Sequence, residues 1–129
     1  MKKGFTLVEL IVVVTIIMVI TALGVVNFAG INKRSRDSRR VADLKKVSIA
    51  LEIYRQENGE YPSAQAGLVP DYLEIIPLDP KNPTNLYDLD IGEKYSYELY
   101  AHMEDSGSTT GTYSGGSCGE TCNYRTINP

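Results

Sequence analysis

The sequence has little of the material from which enzymes and metal sites are built. His102 is its only histidine, so neither a zinc site nor a histidine-based catalytic triad has the side chains it needs. No glycine-rich phosphate loop is present, so the chain is not expected to be an ATPase. Asn82-Pro-Thr cannot accept an N-linked glycan, because proline occupies its middle position. These absences predict a structural or binding protein with no catalytic residue, metal or cofactor.

The only two cysteines, Cys118 and Cys122, bracket Gly-Glu-Thr near the C-terminus. With no other metal-type ligands beside them, they favour a disulfide that closes a very small loop, provided that this part of the chain leaves the cytoplasm. The alternative is a pair of free thiols in a mobile tail. A disulfide there would constrain few residues, so we expect its stabilising effect to be local.

One long apolar run occupies residues 5–26, and its few polar side chains are Thr6, Glu9, Thr15 and Thr21. As a helix it would measure about 33 Å, enough to cross a bilayer. Lys2 and Lys3 precede the run and would hold the N-terminus in the cytoplasm, although the basic residues that follow oppose this orientation. A secretory signal peptide begins similarly, but the small-residue cleavage site that it requires is weak here.

Glu9 is the one charged residue inside this run. Burying an unpaired carboxylate in hydrocarbon costs several kcal/mol. The residue therefore either lies at the level of the lipid headgroups or awaits a partner of opposite charge.

Proline is also absent before Pro62, and residues 27–59 continue the helical pattern. Apolar residues recur three or four apart at Val41, Leu44, Val47 and Leu51, and Asn58-Gly59 is a typical helix stop. Together with residues 5–26 this predicts one helix of about 50 residues, whose second half is amphipathic.

Residues 60–129 have the pattern of a small head. Prolines interrupt residues 62–83 and leave room for one short helix near residues 68–74. A strand end and turn are predicted at residues 87–94, and alternating large and polar side chains predict a strand at 95–102. A glycine- and serine-rich loop over residues 106–117 precedes a last short strand near 122–127. Such strands need a helix to cover their apolar face, so the fold class is α+β.

Charge is distributed unevenly. Residues 33–46 contain seven basic and two acidic residues, whereas residues 47–129 contain four basic and thirteen acidic ones. The acidic head argues against a nucleic-acid site. The basic stretch is either a solvated helix face or a surface for subunits or lipid headgroups.

Lys-Gly-Phe-Thr-Leu-Val-Glu at residues 3–9, at the start of a long apolar helix, resembles the class III signal of type IV pilins and pseudopilins. The resemblance covers residues 1 to about 60. Tyr61-Pro62, Gly67-Leu68, Pro77-Leu-Asp-Pro80 and Tyr95-Ser-Tyr97 are similar to the short head of the major pseudopilin of type II secretion and of related small pilins.

The resemblance implies a role for each residue of this motif. A prepilin peptidase would remove residues 1–4 as a leader, cutting after Gly4, and would methylate the new N-terminus at Phe5. Glu9 would neutralise the N-terminal amine of a neighbouring subunit, since two opposite buried charges offset much of each other's desolvation cost. Residues 5–26 would cross the membrane first and form the filament core afterwards.

The resemblance also implies partners and locations. The chain would form a homopolymer, with an assembly ATPase and a platform membrane protein supplied by other chains. It would lie in the inner or cytoplasmic membrane before assembly, and in an extracellular pilus or a periplasmic pseudopilus afterwards. A pilus subunit is the first expectation and a major pseudopilin the second. A membrane-tethered binding domain with an uncleaved anchor is the alternative from another class.

Some pseudopilins bind calcium in a C-terminal loop, and Asp88, Asp90 and Glu93 form an acidic cluster here. Carboxylate oxygens suit that ion. The spacing is not that of an EF-hand and does not match the calcium motif of the family, so a solvated acidic loop is the expectation.

Overall fold

The structure, a computed structural model, describes residues 4–25, 28–91 and 94–128, with the backbone alone for residues 23–25. Its helices are α1 (Leu7–Val25) and α2 (Phe28–Asn58), and its strands are β1 (Asp88–Asp90), β2 (Glu98–Ala101) and β3 (Tyr124–Ile127). Short 3₁₀ helices span Gln65–Leu68 and Ser106–Ser108. The chain divides into two compact units, Met1–Asn32 and Lys33–Pro129.

Helix α1 has apolar side chains on all sides and no polar face. Its side chains are exposed throughout the part that is described, for example Leu7 at 73% and Ile20 at 64%. The hydroxyls of Thr15 and Thr21 donate to carbonyls one turn earlier, at Ile11 and Ile17, so these polar groups are satisfied within the helix. Among the residues described with side chains, no helix is both long and apolar enough to cross a membrane.

The prediction of one uninterrupted helix of about 50 residues falls partly on residues 26 and 27, which lie outside the described residues. The two helices on either side of them fall within the predicted range.

Helix α2 buries one face against the head. Leu44, Val47, Ala50 and Leu51 are at most 2% exposed, as the three-to-four spacing predicts for a face that packs on a core. Val41, which the same stripe included, is 37% exposed and lies at the margin of this face. The helix ends where the sequence predicts, because Gly59 has a φ of +81°, a conformation that glycine adopts without strain.

The sheet is antiparallel with the order β1-β2-β3. Leu89 pairs with Leu99, and Leu99 in turn pairs with Thr126. The central strand β2 supplies the buried Leu99 and Ala101, which join the core formed with α2. This arrangement confirms the predicted α+β class and its long N-terminal helical region packed on a small antiparallel sheet.

The predicted short helix near residues 68–74 is wrong. A 3₁₀ helix lies earlier, at Gln65–Leu68, and turns follow it. Val69 is extended, with ψ of 138°, because the residue before a proline is disfavoured in the helical region. Pro70 also has no N–H to continue a helical hydrogen-bond ladder.

Candidate functional site

The N-terminal motif contains a local hydrogen-bonded cap. Thr6 precedes the first residue of α1, and its backbone N–H and hydroxyl both donate to the Glu9 carboxylate at 2.9 Å. The Glu9 N–H donates in return to the Thr6 hydroxyl oxygen at 3.3 Å. This is the reciprocal capping box of the type Ser/Thr-x-x-Glu. The signature Thr-x-x-Glu is present in the sequence at residues 6–9, so this cap could have been predicted.

Gly4 and Phe5, the predicted cleavage pair, lie immediately before this cap. Both are exposed, and Phe5 has 86% of its surface accessible. A Cβ atom placed on Gly4 would meet no atom of the described residues within 4 Å, so a larger residue there would disturb none of their contacts. Residues 1–3 of the predicted leader lie outside the described residues.

A second cluster, made of charged side chains, lies in the head and was not predicted. Arg40 has no exposed side-chain surface and forms a bidentate pair with Asp79, at 2.7 Å from Nε to Oδ2 and 3.1 Å from Nη2 to Oδ1. Its Nη1 group donates to Asp37 at 2.6 Å and to Glu104 at 3.0 Å. One guanidinium therefore joins α2 to two segments distant in sequence, which makes it the centre of a buried ion network.

Two further cations complete this network. Arg36 binds Glu104 with two hydrogen bonds of 2.7 Å, and Lys81 lies 2.8 Å from the same carboxylate. Asp37 also accepts the backbone N–H groups of Glu104 and Asp105. The network thus contains three cations and three anions: Arg36, Arg40, Lys81, Asp37, Asp79 and Glu104.

The pKa shifts in this network reflect its pairing. The hydrogen bond from Arg36 lowers the pKa of the Glu104 carboxyl against the effect of burial, with further help from Lys81 and Arg40. Burial alone would lower the pKa of Arg40, but hydrogen bonds to Asp79, Asp37 and Glu104 raise it above its ordinary value. Both shifts favour the charged form of the group, and the network fixes the two loops to α2.

The predicted basic stretch at residues 33–46 divides into two sets. Arg36 and Arg40 belong to the ion network, in which Arg40 is fully buried and Arg36 keeps 31% of its side chain exposed. The other five basic side chains are exposed: Lys33, Arg34, Arg39, Lys45 and Lys46.

Cys118 and Cys122 are joined by a disulfide with a Cα–Cα separation of 5.5 Å, and both are buried. Tyr100 and Tyr113 pack against the pair. The Cys118 carbonyl accepts the Leu86 N–H at 2.9 Å, so the small loop also holds the segment that leads into β1.

The acidic cluster proposed as a calcium alternative is only partly described. Asp88 accepts the Ser117 N–H at 2.6 Å and Asp90 is exposed, whereas Glu93 lies outside the described residues. Among the residues that the structure describes, no group of three or more histidine, cysteine, aspartate or glutamate side chains is placed to hold a metal ion.

Comparisons with known proteins agree with this geometry. Residues 1–25 match the family described as the prokaryotic N-terminal methylation motif. The type II secretion system core protein G of Pseudomonas aeruginosa is 30% identical in an alignment 117 residues long, and the match covers 78% of this chain and 82% of that protein. The protein of the same name from Pectobacterium carotovorum is 36% identical over 67 residues, 52% of this chain and 43% of that protein. No solved structure matches the chain significantly.

A methylation motif before an apolar helix, followed by a helix packed on a small sheet, defines the class of pilin-like proteins. Within that class the chain belongs to the type IV pilin and pseudopilin family. Both relatives described above carry the name type II secretion system core protein G. Of the two filament types that the sequence predicted, the second belongs to type II secretion, the system for which these relatives are named.

Proposed function

We propose that this chain is the major structural subunit of a type II secretion pseudopilus and that it polymerises through α1. The observation that carries the proposal is the surface of α1, which is apolar on every side and exposed throughout its described part. A helix that is apolar all round requires an apolar environment. In a polymer, the α1 helices of other subunits provide that environment.

Membrane insertion precedes polymerisation in this proposal. The apolar run holds the chain in the inner membrane, and the head lies on the far side, where its disulfide can form. The chain then leaves the bilayer and enters a periplasmic filament. An assembly ATPase, a platform membrane protein and a prepilin peptidase are the partners, and the chain itself carries out no catalysis.

Processing occurs at the exposed pair Gly4 and Phe5. The peptidase cuts between them and methylates the Phe5 amine, as the match to the methylation motif supports. Among the described residues, Gly4 makes no contact that a side chain would break, which supports a role in recognition by the peptidase and not in the fold of the subunit.

Glu9 has a second task beyond its cap. The Thr6 groups fill part of its hydrogen-bonding capacity but leave its negative charge uncompensated. When α1 enters a packed helical core, that charge becomes costly unless a cation accompanies it. The amine of Phe5 in a neighbouring subunit supplies this cation.

Expression of the full chain in cells with and without a prepilin peptidase tests this proposal. Mass spectrometry of the purified protein should find a mature chain that begins at N-methylated Phe5 only when the peptidase is present. Electron microscopy should then find filaments in cells that also hold the assembly machinery. An intact Met1 in the presence of the peptidase would instead indicate a binding domain with an uncleaved anchor.

Gly4→Val provides a sharper test of processing, with Gly30→Val as the matched control. Neither glycine would bring an added Cβ within 4 Å of another atom. The Gly4 variant should keep its leader, whereas the Gly30 variant should be cleaved normally. Normal cleavage of the Gly4 variant would exclude this residue from recognition.

A further inference from the structure

The only histidine of the chain, His102, lies between two acceptor atoms of the disulfide loop, the name we give to residues 118–122, which the disulfide closes. The Nδ1 atom of His102 is 2.7 Å from the carbonyl oxygen of Thr121, and its Nε2 atom is 2.9 Å from a carboxylate oxygen of Glu120. A carbonyl oxygen and an ionised carboxylate can only accept hydrogen bonds. Both ring nitrogens must therefore carry a proton for both contacts to be hydrogen bonds.

The backbone around His102 is held in place by Asn123. The Ala101 carbonyl accepts the Asn123 N–H at 3.2 Å, and the Asn123 side chain accepts from the Met103 N–H at 2.5 Å and donates to the Met103 carbonyl at 2.8 Å. The disulfide fixes the other side of the contact, since it closes immediately after Thr121. The imidazole and the Thr121 carbonyl are thus both positioned by contacts other than their own hydrogen bond.

Glu120 is the more mobile of the two acceptors. Its side chain is 51% exposed, whereas that of His102 is 18% exposed. A neutral imidazole keeps the proton on one nitrogen and presents a lone pair at the other. A lone pair facing the Thr121 carbonyl would repel a backbone oxygen that no side-chain rotation can remove, whereas a lone pair facing Glu120 repels a carboxylate that can turn to water. The geometry therefore favours a neutral ring that keeps its proton at Nδ1.

No second carboxylate competes for the ring in the part of the chain that the structure describes, where Glu120 is the one in ion-pair contact with it. Glu104 and Asp105, which follow His102 closely, pair instead with arginines of α2. Asn123, which flanks the ring, does not titrate. The charge of the imidazole is therefore coupled chiefly to that of Glu120.

We propose that His102 and Glu120 form a pH-operated latch on the disulfide loop. With a protonated ring the latch is closed, as in this structure, and the two opposite charges cancel at the loop surface. When the ring loses its proton Glu120 is released, and the loop presents one uncompensated negative charge between the exposed Gly119 and Thr121. Histidine side chains ordinarily make this change at about pH 6.5, so the latch responds within the physiological range. The latch belongs to the head and does not depend on filament formation.

NMR of the ¹⁵N-labelled full-length chain in detergent tests the latch, because a single histidine gives ring signals that need no assignment. In a titration from about pH 5 to about pH 8, both ring nitrogens should first give the shifts of a protonated imidazole, and the Nδ1–H tautomer should then predominate. A neutral ring protonated at Nε2 would overturn the proposal, because such a ring would keep its hydrogen bond to Glu120 at every pH.

Glu120→Gln measures the coupling between the two side chains. Glutamine can offer its oxygen to the protonated ring and its NH₂ group to the neutral ring, so it favours neither state. At about pH 6.5 the ratio of protonated to neutral ring should fall about 2- to 5-fold, the range expected for the loss of an exposed ion pair. An unchanged ratio would show that the ring titrates without Glu120 and would overturn the latch.

Glu74→Gln is the matched control, because Glu74 is an exposed carboxylate in another segment of the head. It should leave the ratio of protonated to neutral ring as in the wild type. A fall as large as that in Glu120→Gln would mean that the net charge of the head, and not a latch, sets the protonation of the ring.

The opening itself is measured by nuclear Overhauser contacts between the ring protons of His102 and the methylene protons of Glu120. These contacts should be present at about pH 5 and lost at about pH 8 in the wild type. Contacts that persist at the higher pH would show that Glu120 stays in place beside a neutral ring, which would overturn the latch.

Discussion

Glu9 in the apolar helix α1 and Asp79 in the head are carboxylates that the two regions of the molecule satisfy in different ways. Asp79 is buried and receives a bidentate guanidinium from Arg40, 39 residues away in the sequence. Among the described residues, Glu9 receives hydrogen bonds only from Thr6, three residues away, and has no cation. The head therefore pairs its buried charges by folding, whereas the described part of the N-terminal segment holds no cation for Glu9, as the proposed pairing with another subunit requires.

The two regions also differ in how much of their apolar surface is buried. Leu44, Val47 and Leu51 in α2 are at most 1% exposed because the sheet covers them. In α1, Val12 and Ile16 remain 50% and 53% exposed. A head that satisfies itself should be stable as a monomer, and an N-terminal segment that does not should become stable only by association.

The largest effect on this comparison is expected from Arg40→Met. The substitution leaves Asp37 and Asp79 buried without their cation, which should lower the free energy of unfolding of the head by about 3–5 kcal/mol. All nine tyrosines lie in unit Lys33–Pro129, so tyrosine fluorescence during urea unfolding of the full chain in detergent reports on the head.

Arg39→Met is the control for this variant. Arg39 lies 3.7 Å from Asp43 and its side chain is 67% exposed, so its loss should cost less than about 1 kcal/mol. If both variants lowered the free energy of unfolding equally, the buried network would stabilise the head no more than an exposed ion pair does.

The disulfide provides the next test of how far contacts within the head stabilise it. Replacement of Cys118 and Cys122 by serine together removes a link across four residues, and loop-closure entropy assigns such a short loop about 2 kcal/mol. The same urea titration measures the loss, and amide exchange should be faster at Leu86, whose N–H bonds to Cys118. A loss as large as that of Arg40→Met would show that the loop supports more than its own neighbourhood.

Glu9→Gln tests the charge that the N-terminal segment leaves unpaired. Glutamine can keep the capping box with Thr6 but carries no charge, so filament yield should fall at least about 10-fold while processing and head stability stay normal. Glu9→Ala removes both the cap and the charge. If the glutamine variant assembles like the wild type and the alanine variant does not, the cap alone is the role of this residue.

Local patterns made the helices and strands predictable. The three-to-four spacing of Leu44, Val47 and Leu51 identified the buried face of α2, and the alternation before His102 identified β2. Two features were not predicted correctly: the short helix near residues 68–74, which the backbone of a proline prevents, and the ion network, whose partners are distant in the sequence. Pro70 excluded the short helix, and a proline inside a predicted helix was a signal available in the sequence.

The buried network could not be derived in this way. Arg36, Asp37 and Arg40 are close in the sequence, and their spacing indicates one helix turn. Their partners Asp79 and Glu104 lie 39 and 64 residues from Arg40. No local pattern marks such a pairing, so the seven basic residues were predicted to form one surface, although Arg40 is buried and Arg36 is partly buried.

The smallest expected effect concerns Tyr97, a polar group that the head satisfies internally. Its hydroxyl lies 2.7 Å from the Ser48 hydroxyl, and burial raises its pKa to about 12, against 10.0 ordinarily. A group whose folded pKa is raised stabilises the fold fully below pH 10, and this contribution is lost as the pH rises from 10 to 12. Tyr97→Phe should lower the free energy of unfolding by about 1 kcal/mol at pH 7, and it should reduce the loss of that free energy between pH 10 and 12 by about 1.4 kcal/mol per pH unit.

Urea titrations at pH 7, 10 and 11 measure both quantities, with Ser48→Ala as the partner variant that removes the hydrogen bond and keeps the titrating group. An unchanged alkaline slope in Tyr97→Phe would mean that this hydroxyl ionises without cost and that the head is less closed to solvent than its packing indicates.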